Sequence, residues 1–299
     1  MFGDGSESVR TLTEQAAGLR EPPRERGGSR AMRFWILPFV LSLWLCQPAQ
    51  ALSLERLNDQ EIASVKATLE ALDPLITDRK RQGSAPVLTF EELYRPLSRS
   101  QADFVQAIRN LDPVALGGSN RKLTAPSPSE RFVRLESQVV RREGTPILLD
   151  AQYLPSGVYE SYCAMMKGME EDLGKRLLVE SGYRSPAYQL YLFIFYLSNH
   201  NYSIRETNRF VALPGFSEHG SPASQAIDFI TPEGINGEDR PEEFEELQEY
   251  GWLRARAHEF GFHLSYPRQT KRGLTPLKGS DPIGSSAFEP WHWHWEGTP

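Results

Sequence analysis

The sequence is poor in cysteine, has no excess of basic charge and has few long apolar runs. Two cysteines in 299 residues exclude a disulfide-rich scaffold and any zinc site made of four thiolates. Lys and Arg number 33 against 39 Asp and Glu, a formal charge of −6. Phosphate neutralisation needs clustered cations, so nucleic acid is not an expected partner. The apolar run at 34–46 (FWILPFVLSLWLC) has 13 residues, whereas a membrane-spanning helix needs about 20. Hydrophobic residues reach 39% and aromatics 11%, enough for a core and too many for wholesale disorder. With 22 prolines and 23 glycines, the composition points to a loop-rich enzyme rather than a helical bundle.

The run at 34–46 has the length of a signal-peptide h-region, about 7–15 residues. Met32-Arg33 precedes it and Ala49-Gln50-Ala51, a small-x-small cleavage signal, follows it. The expected organisation is an upstream extension over 1–31 and a signal peptide over 32–51, with Met32 as the true start. The rest of the chain is then exported to the periplasm or cell envelope, with no membrane span after signal cleavage. Cleavage removes Cys46 and leaves Cys163 alone. Within YCAMM, Cys163 reads as a buried small hydrophobe rather than a nucleophile.

Residues 52–149 carry no nameable chemical constellation, and their role is unassigned. Leu57, Ile62, Val65, Leu69 and Leu72 recur at helical spacing, with Pro74 expected to end the first part. Phe104, Ile108 and Leu111 share the face of a second helix. Residues 131–149 read as strands around a Gly-Thr-Pro turn. From about 150 the texture changes. A helix is expected over 156–173 and a strand over 176–180. A very apolar helix spans 186–199, capped by Ser185 with Pro186 in its first turn. Strands are expected over 226–230, 262–266 and 287–295, and one helix over 241–260, acidic at its start and stopped by Gly261. Together these spell an α+β fold: a small, largely antiparallel sheet flanked by helices, with a helical and irregular N-terminal extension.

Six histidines are present. His200 and His258 read as ordinary surface or packing residues, and His263 as a strand residue. The closing segment alternates strictly. In a strand, Trp291, Trp293 and Trp295 face one side and His292 and His294 the other, so the tryptophans can pack on the core while the histidines address a cleft. Pro290 marks the strand entry, with Glu289 at its mouth. Upstream, His219 precedes a loop and Asp228 lies in the next strand. Two His and one carboxylate make a plausible three-ligand zinc set with a fourth position for water. A carboxylate beside that water can accept its proton without binding metal, and Glu289 or Glu218 fits.

Three ordered motifs carry a resemblance: Ser181-Gly182-Tyr183-Arg184-Ser185, then Ser217-x-His219 with Ala226-x-Asp228, then Glu289-Pro290-Trp291-His292. Residues 150–299 resemble the VanY-type D-alanyl-D-alanine carboxypeptidases, zinc peptidases whose family includes D-Ala-D-Ala dipeptidases and shares a core with hedgehog domains. The resemblance implies a zinc peptidase domain with Zn2+ on His219, Asp228 and His292. It implies Glu289 as general base and Arg184 as the group that polarises the scissile carbonyl. Ser217 and Gln189 are implied as substrate contacts, and His294 has no counterpart role. The implied substrate is the peptidoglycan stem peptide, losing its terminal D-Ala. An endopeptidase, a D-Ala-D-Ala dipeptidase or a non-catalytic peptidoglycan-binding member are the alternatives. One departure stands out. Eight residues separate His219 from Asp228, two more than the family pattern, and the family's glycine falls on Ser224. An insertion of two keeps strand parity, so Asp228 is expected to keep its face.

Overall fold

The chain is described from a computed structural model, over residues 52–117, 122–123, 125–268 and 288–297. The compact unit Gln50–Pro299 contains all of them, and the other unit, Met1–Ala49, lies outside them. The expected upstream extension and signal peptide, with Cys46, therefore also lie outside the described residues. No helix of the described residues is long and apolar enough to cross a membrane.

The N-terminal part is helical. Helix α1 (Asp59–Arg81) opens on a capping box between Asn58 and Glu61, which satisfies two otherwise orphaned amides. It runs through Pro74 rather than ending there. Proline removes one intrahelical hydrogen bond, but Leu72 and Ile76 on either side are buried, and packing of that face outweighs the local penalty. Helices α2 (Phe90–Tyr94) and α3 (Arg99–Arg109) follow, each with its own capping box.

Short strands come next: β1 (Phe132–Leu135), β2 (Val139–Arg142), β3 (Thr145–Leu148) and β4 (Gln152–Pro155). β2 and β3 form a hairpin. Its turn is Glu143-Gly144, with both φ values positive (51° and 80°), rather than Gly-Thr-Pro. Two successive left-handed residues make a primed turn, whose twist matches that of paired strands. β1 instead pairs antiparallel with β4.

The C-terminal part follows the expected order. Helix α4 (Ser156–Leu173) leads to β5 (Leu178–Ser181). Helix α5 (Pro186–Tyr196) is capped by the Ser185 side chain on the Tyr188 amide. Then come α6 (Ile204–Asn208), β6 (Ala226–Ile230), α7 (Pro241–Glu245), α8 (Gln248–Arg256), β7 (Phe262–Leu264) and β8 (His292–Trp295). The single helix expected over 241–260 is thus broken: Leu247 is extended (ψ 144°). The break brings Phe244 and Leu253 into one core. Cys163 is exposed, not buried; it is one step round α4 from the buried Tyr162, on the outward face.

Strands β5, β6, β8 and β7 form one antiparallel sheet in that order. Its inner face packs Ile227, Phe229 and Trp293 against Tyr162, Met166 and Met169 of α4. A second apolar cluster joins α1–α3 to α5 and α6 through Leu72, Leu93, Ile108, Leu190 and Phe193. Residues 52–116 are therefore part of the same unit as the sheet, bonded to it through helix α5. The Ser185 amide and hydroxyl reach the carbonyls of Pro86 and Leu88, at 2.7 and 2.5 Å.

Candidate metal centre

The outer face of the sheet is where the chemistry gathers. Cross-strand register sets Ser181 of β5 beside Asp228 of β6, and Asp228 beside His292 of β8. Side chains directly opposite share a face, so three polar groups stand abreast over an apolar layer. The alternation in β8 holds: Trp293 is in the core with Trp291 and Trp295 packed against it, while His292 and His294 are buried on the other side.

His219 arrives from a single turn of helix at Glu218–Gly220. Its Nδ1 lies 2.8 Å from the Gly182 carbonyl. A carbonyl only accepts, so Nδ1 carries the proton and Nε2 keeps its lone pair. That Nε2 lies 3.1 Å from Asp228 Oδ2. Gly182 must be glycine here, because a Cβ would come within 2.4 Å of the Tyr153 carbonyl oxygen. The loop of eight residues therefore still delivers Asp228 to His219; Gln225 inside it ties the His219 and Ala226 carbonyls together through Nε2 (3.2 and 2.7 Å).

His292 Nδ1 is 2.8 Å from Asp228 Oδ1, and its Nε2 is 2.9 Å from Glu218 Oε2. Burial pushes its pKa down, but Asp228 and Glu218 outweigh that and raise it to about 10. Burial pushes the Asp228 carboxyl up, yet His219 and His292 hold it well below the usual carboxylate range. His219 is pushed down by burial and by Arg184. Ligand atoms of His219, Asp228 and His292 all lie within 4.8 Å of one another. Two buried imidazoles and a buried carboxylate at this spacing could hold a metal ion with three protein ligands and an open position.

The remaining expected residues surround this set. Arg184 Nε donates to Ser181 Oγ (2.8 Å) and its Nη2 to Asp228 Oδ2 (3.0 Å), so the guanidinium leans on the donor set. Glu289 lines the same cavity of about 610 Å³, together with Arg184, Gln189, Ser217, Asp228 and His292. Burial raises its carboxyl to about 7, with His292 opposing and Asp228 and Glu218 adding to the rise. Gln189 is buried on α5. Its Nε2 donates to Ala212 O (2.8 Å), and its Oε1 has no partner among the described residues.

Glu218, weighed with Glu289 as the proton acceptor, has a different setting. It is tied to His292 and to Ser265 Oγ (2.7 Å). Burial alone would raise it, but His292, His294 and Ser265 together outweigh that and hold it down at about 2. Sequence reasoning passed over two other cleft carboxylates. Glu180 is raised to about 7 by burial and accepts from Asn236 (3.0 Å); Glu238 is raised by burial. A strand end and a loop give no periodic signal for either. His200 also lines the cavity, stacked on Phe210 at 4.7 Å. Lys80, Gly83, Pro86, Leu148 and Leu149 also line the cavity, from the region whose role the sequence left unassigned, as do residues 150–152 just after it.

Residues 151–298 match the family model described as VanY: D-alanyl-D-alanine carboxypeptidase. No curated protein matches the chain significantly. Among solved structures, a vancomycin-resistance D,D-pentapeptidase VanY variant in complex with Zn(II) is 19% identical, with TM-score 0.42, over 60% of this chain and 85% of that one. The LdcB LD-carboxypeptidase is 23% identical, with TM-score 0.39, over 57% and 70%. DacB from Streptococcus pneumoniae D39 is 22% identical, with TM-score 0.31, over 55% and 84%. Likeness at this level carries no argument about substrate or mechanism.

Proposed function

Residues 151–298 belong to the VanY D-alanyl-D-alanine carboxypeptidase family, and on that premise we propose that the chain is a zinc-dependent D-alanyl-D-alanine carboxypeptidase. It removes the terminal D-Ala from peptidoglycan stem peptides, outside the cytoplasmic membrane. The observation that carries this reading is the convergence of His219, Asp228 and His292 in a cavity that Glu289 also lines.

The donor set suits zinc, with His219 offering Nε2, Asp228 a carboxylate oxygen and His292 Nδ1. When bound, zinc would lower the pKa of a coordinated water towards about 7 and polarise a carbonyl. Glu289 takes the proton of the attacking water and delivers it to the leaving amine. A carboxyl raised to about 7 suits both halves of that exchange, since a general base works best when its pKa is near the working pH. Arg184 spends two of its five N–H donors on Ser181 and Asp228; the others serve the oxyanion, where donors count most because charge develops there. Gln189 and Ser217 line the same cavity, where substrate contacts are needed.

The test is digestion of purified muropeptides followed by mass spectrometry, with and without chelator. The proposal expects loss of one alanine mass from pentapeptides, abolished by chelator. Loss of a dipeptide makes the chain a dipeptidase, and monomers from dimers make it an endopeptidase. No metal-dependent product from any of these substrates overturns the enzyme reading.

A further inference from the structure

One chain of hydrogen bonds runs away from the donor set and is used by none of the steps above. His292 Nε2 lies 2.9 Å from Glu218 Oε2. Ser265 Oγ lies 2.7 Å from the same oxygen and 2.8 Å from His294 Nδ1. His294 Nε2 lies 3.0 Å from Glu296 Oε1. Glu218, Ser265 and His294 come from three separate places: the helical turn Glu218–Gly220, the residue after β7, and β8.

The Ser265 hydroxyl donates to Glu218, and that sets the direction of the bonds on either side of it. A carboxylate oxygen accepts, and Glu218 Oε2 faces both His292 Nε2 and the Ser265 hydroxyl. His292 Nε2–H and the Ser265 hydroxyl therefore both donate to Glu218. Ser265 has only one proton, so its oxygen is left to accept from His294 Nδ1–H. The ring of His292 is then fixed in tautomer and tilt, with Nδ1 left facing Asp228.

We propose that Glu218 is a positioning residue for the metal ligand His292, held in place through Ser265 by His294. The proposal rests on the zinc reading above and extends it. Histidines that bind metal generally donate their other ring N–H to a carboxylate or carbonyl, which fixes ring orientation and raises ligand basicity. His219 uses the Gly182 carbonyl for this; His292 uses Glu218. The arrangement has a second consequence. Glu218 is next to His219 in the chain and grips His292 across the site, so the loop that carries one ligand is latched to the strand that carries another. A loop two residues longer than the family pattern keeps its ligands together through this latch. The proposal also gives His294 a task.

The test is the zinc dissociation constant of the full chain, read by competition with a chromogenic chelator, alongside the melting temperature of the metal-free protein. Glu218→Ala is expected to weaken zinc binding about 10–100-fold, and Ser265→Ala, which keeps the carboxylate, to weaken it by a smaller factor. Glu218→Gln retains an acceptor for Nε2–H and is expected to recover part of the loss. The visible spectrum of the cobalt-substituted protein should change in Glu218→Ala, since the tilt of one ligand changes. A core variant, Leu177→Ala, serves as control for general loosening. Wild-type zinc affinity in both Glu218→Ala and Ser265→Ala overturns the proposal. So does an equal loss of affinity in Leu177→Ala at matched melting temperature. If the wild-type chain takes up no zinc at all, the metal reading falls, and this proposal falls with it.

Discussion

The helical layer of α1–α3, α5 and α6 and the four-stranded sheet each bury an apolar cluster, but they differ in what else they bury. The helical layer is filled by Leu57, Leu72, Leu93, Ile108 and Phe193, and its buried polar groups are uncharged ones such as Thr68, Thr207 and Asn208. The sheet buries Ile227, Phe229 and Trp293 on one face and His219, Asp228, His292 and His294 on the other. Burying ionisable groups is costly unless they are paired. The sheet's outer face pairs every one of those four with a neighbour. The difference teaches a division of labour: one region contributes stability and a cleft wall, the other concentrates charge where a metal can use it.

Mutations should separate the two regions. The largest effect is expected from Glu289→Gln, which should cut turnover about 10²–10⁴-fold, the usual worth of a general base, with zinc still bound. Zinc loss in that variant would reassign Glu289 as a ligand. Asp228→Ala comes next. It leaves Arg184 and His292 without their shared carboxylate, so zinc should be lost and the metal-free protein destabilised by about 3–5 kcal/mol in urea unfolding. In the helical layer, Leu72→Ala should cost about 2–5 kcal/mol by cavity formation while zinc affinity stays at the wild-type value. A parallel fall in zinc affinity would erase the division between the regions.

The smallest effect concerns pH. Glu180 is raised from 4.5 to about 7 by burial, so the folded protein holds this proton more tightly than the unfolded chain. The resulting stability is full below about 4.5 and is lost as pH rises through about 7. Glu180→Gln should therefore raise the melting temperature relative to wild type at pH 8 and change it little at pH 4. Parallel melting curves at the two pH values would remove Glu180 from the account.

Much of the sheet region was legible in the sequence. Ser185-Pro186 announces α5 by cap chemistry, the Trp and His alternation announces β8, and AIDFI announces β6 with one polar side chain in an apolar strand. Contacts at long range were less legible. Helical spacing in 52–116 shows that a face is buried but not that it packs on α5, and nothing local pairs β1 with β4. Pro74 and Leu247 each misled for the same reason: local preference at a helix break is small beside the packing of Leu72, Phe244 and Leu253. Cys163 misled because an apolar neighbourhood in sequence is not a buried face; one residue is about 100° round a helix. The ligand types could be named from motif and spacing, but the grip of Glu218 on His292 depends on three elements meeting and left no trace in the sequence.

The central claim is that the outer face of the sheet is a one-metal peptidase centre. It is tested most directly by giving chelator-stripped protein zinc in fractional equivalents while following release of the C-terminal residue from a peptidoglycan pentapeptide. The account predicts no release from stripped protein, then a rate that climbs in proportion to zinc and breaks at one equivalent. Equal release before and after zinc is restored would contradict it.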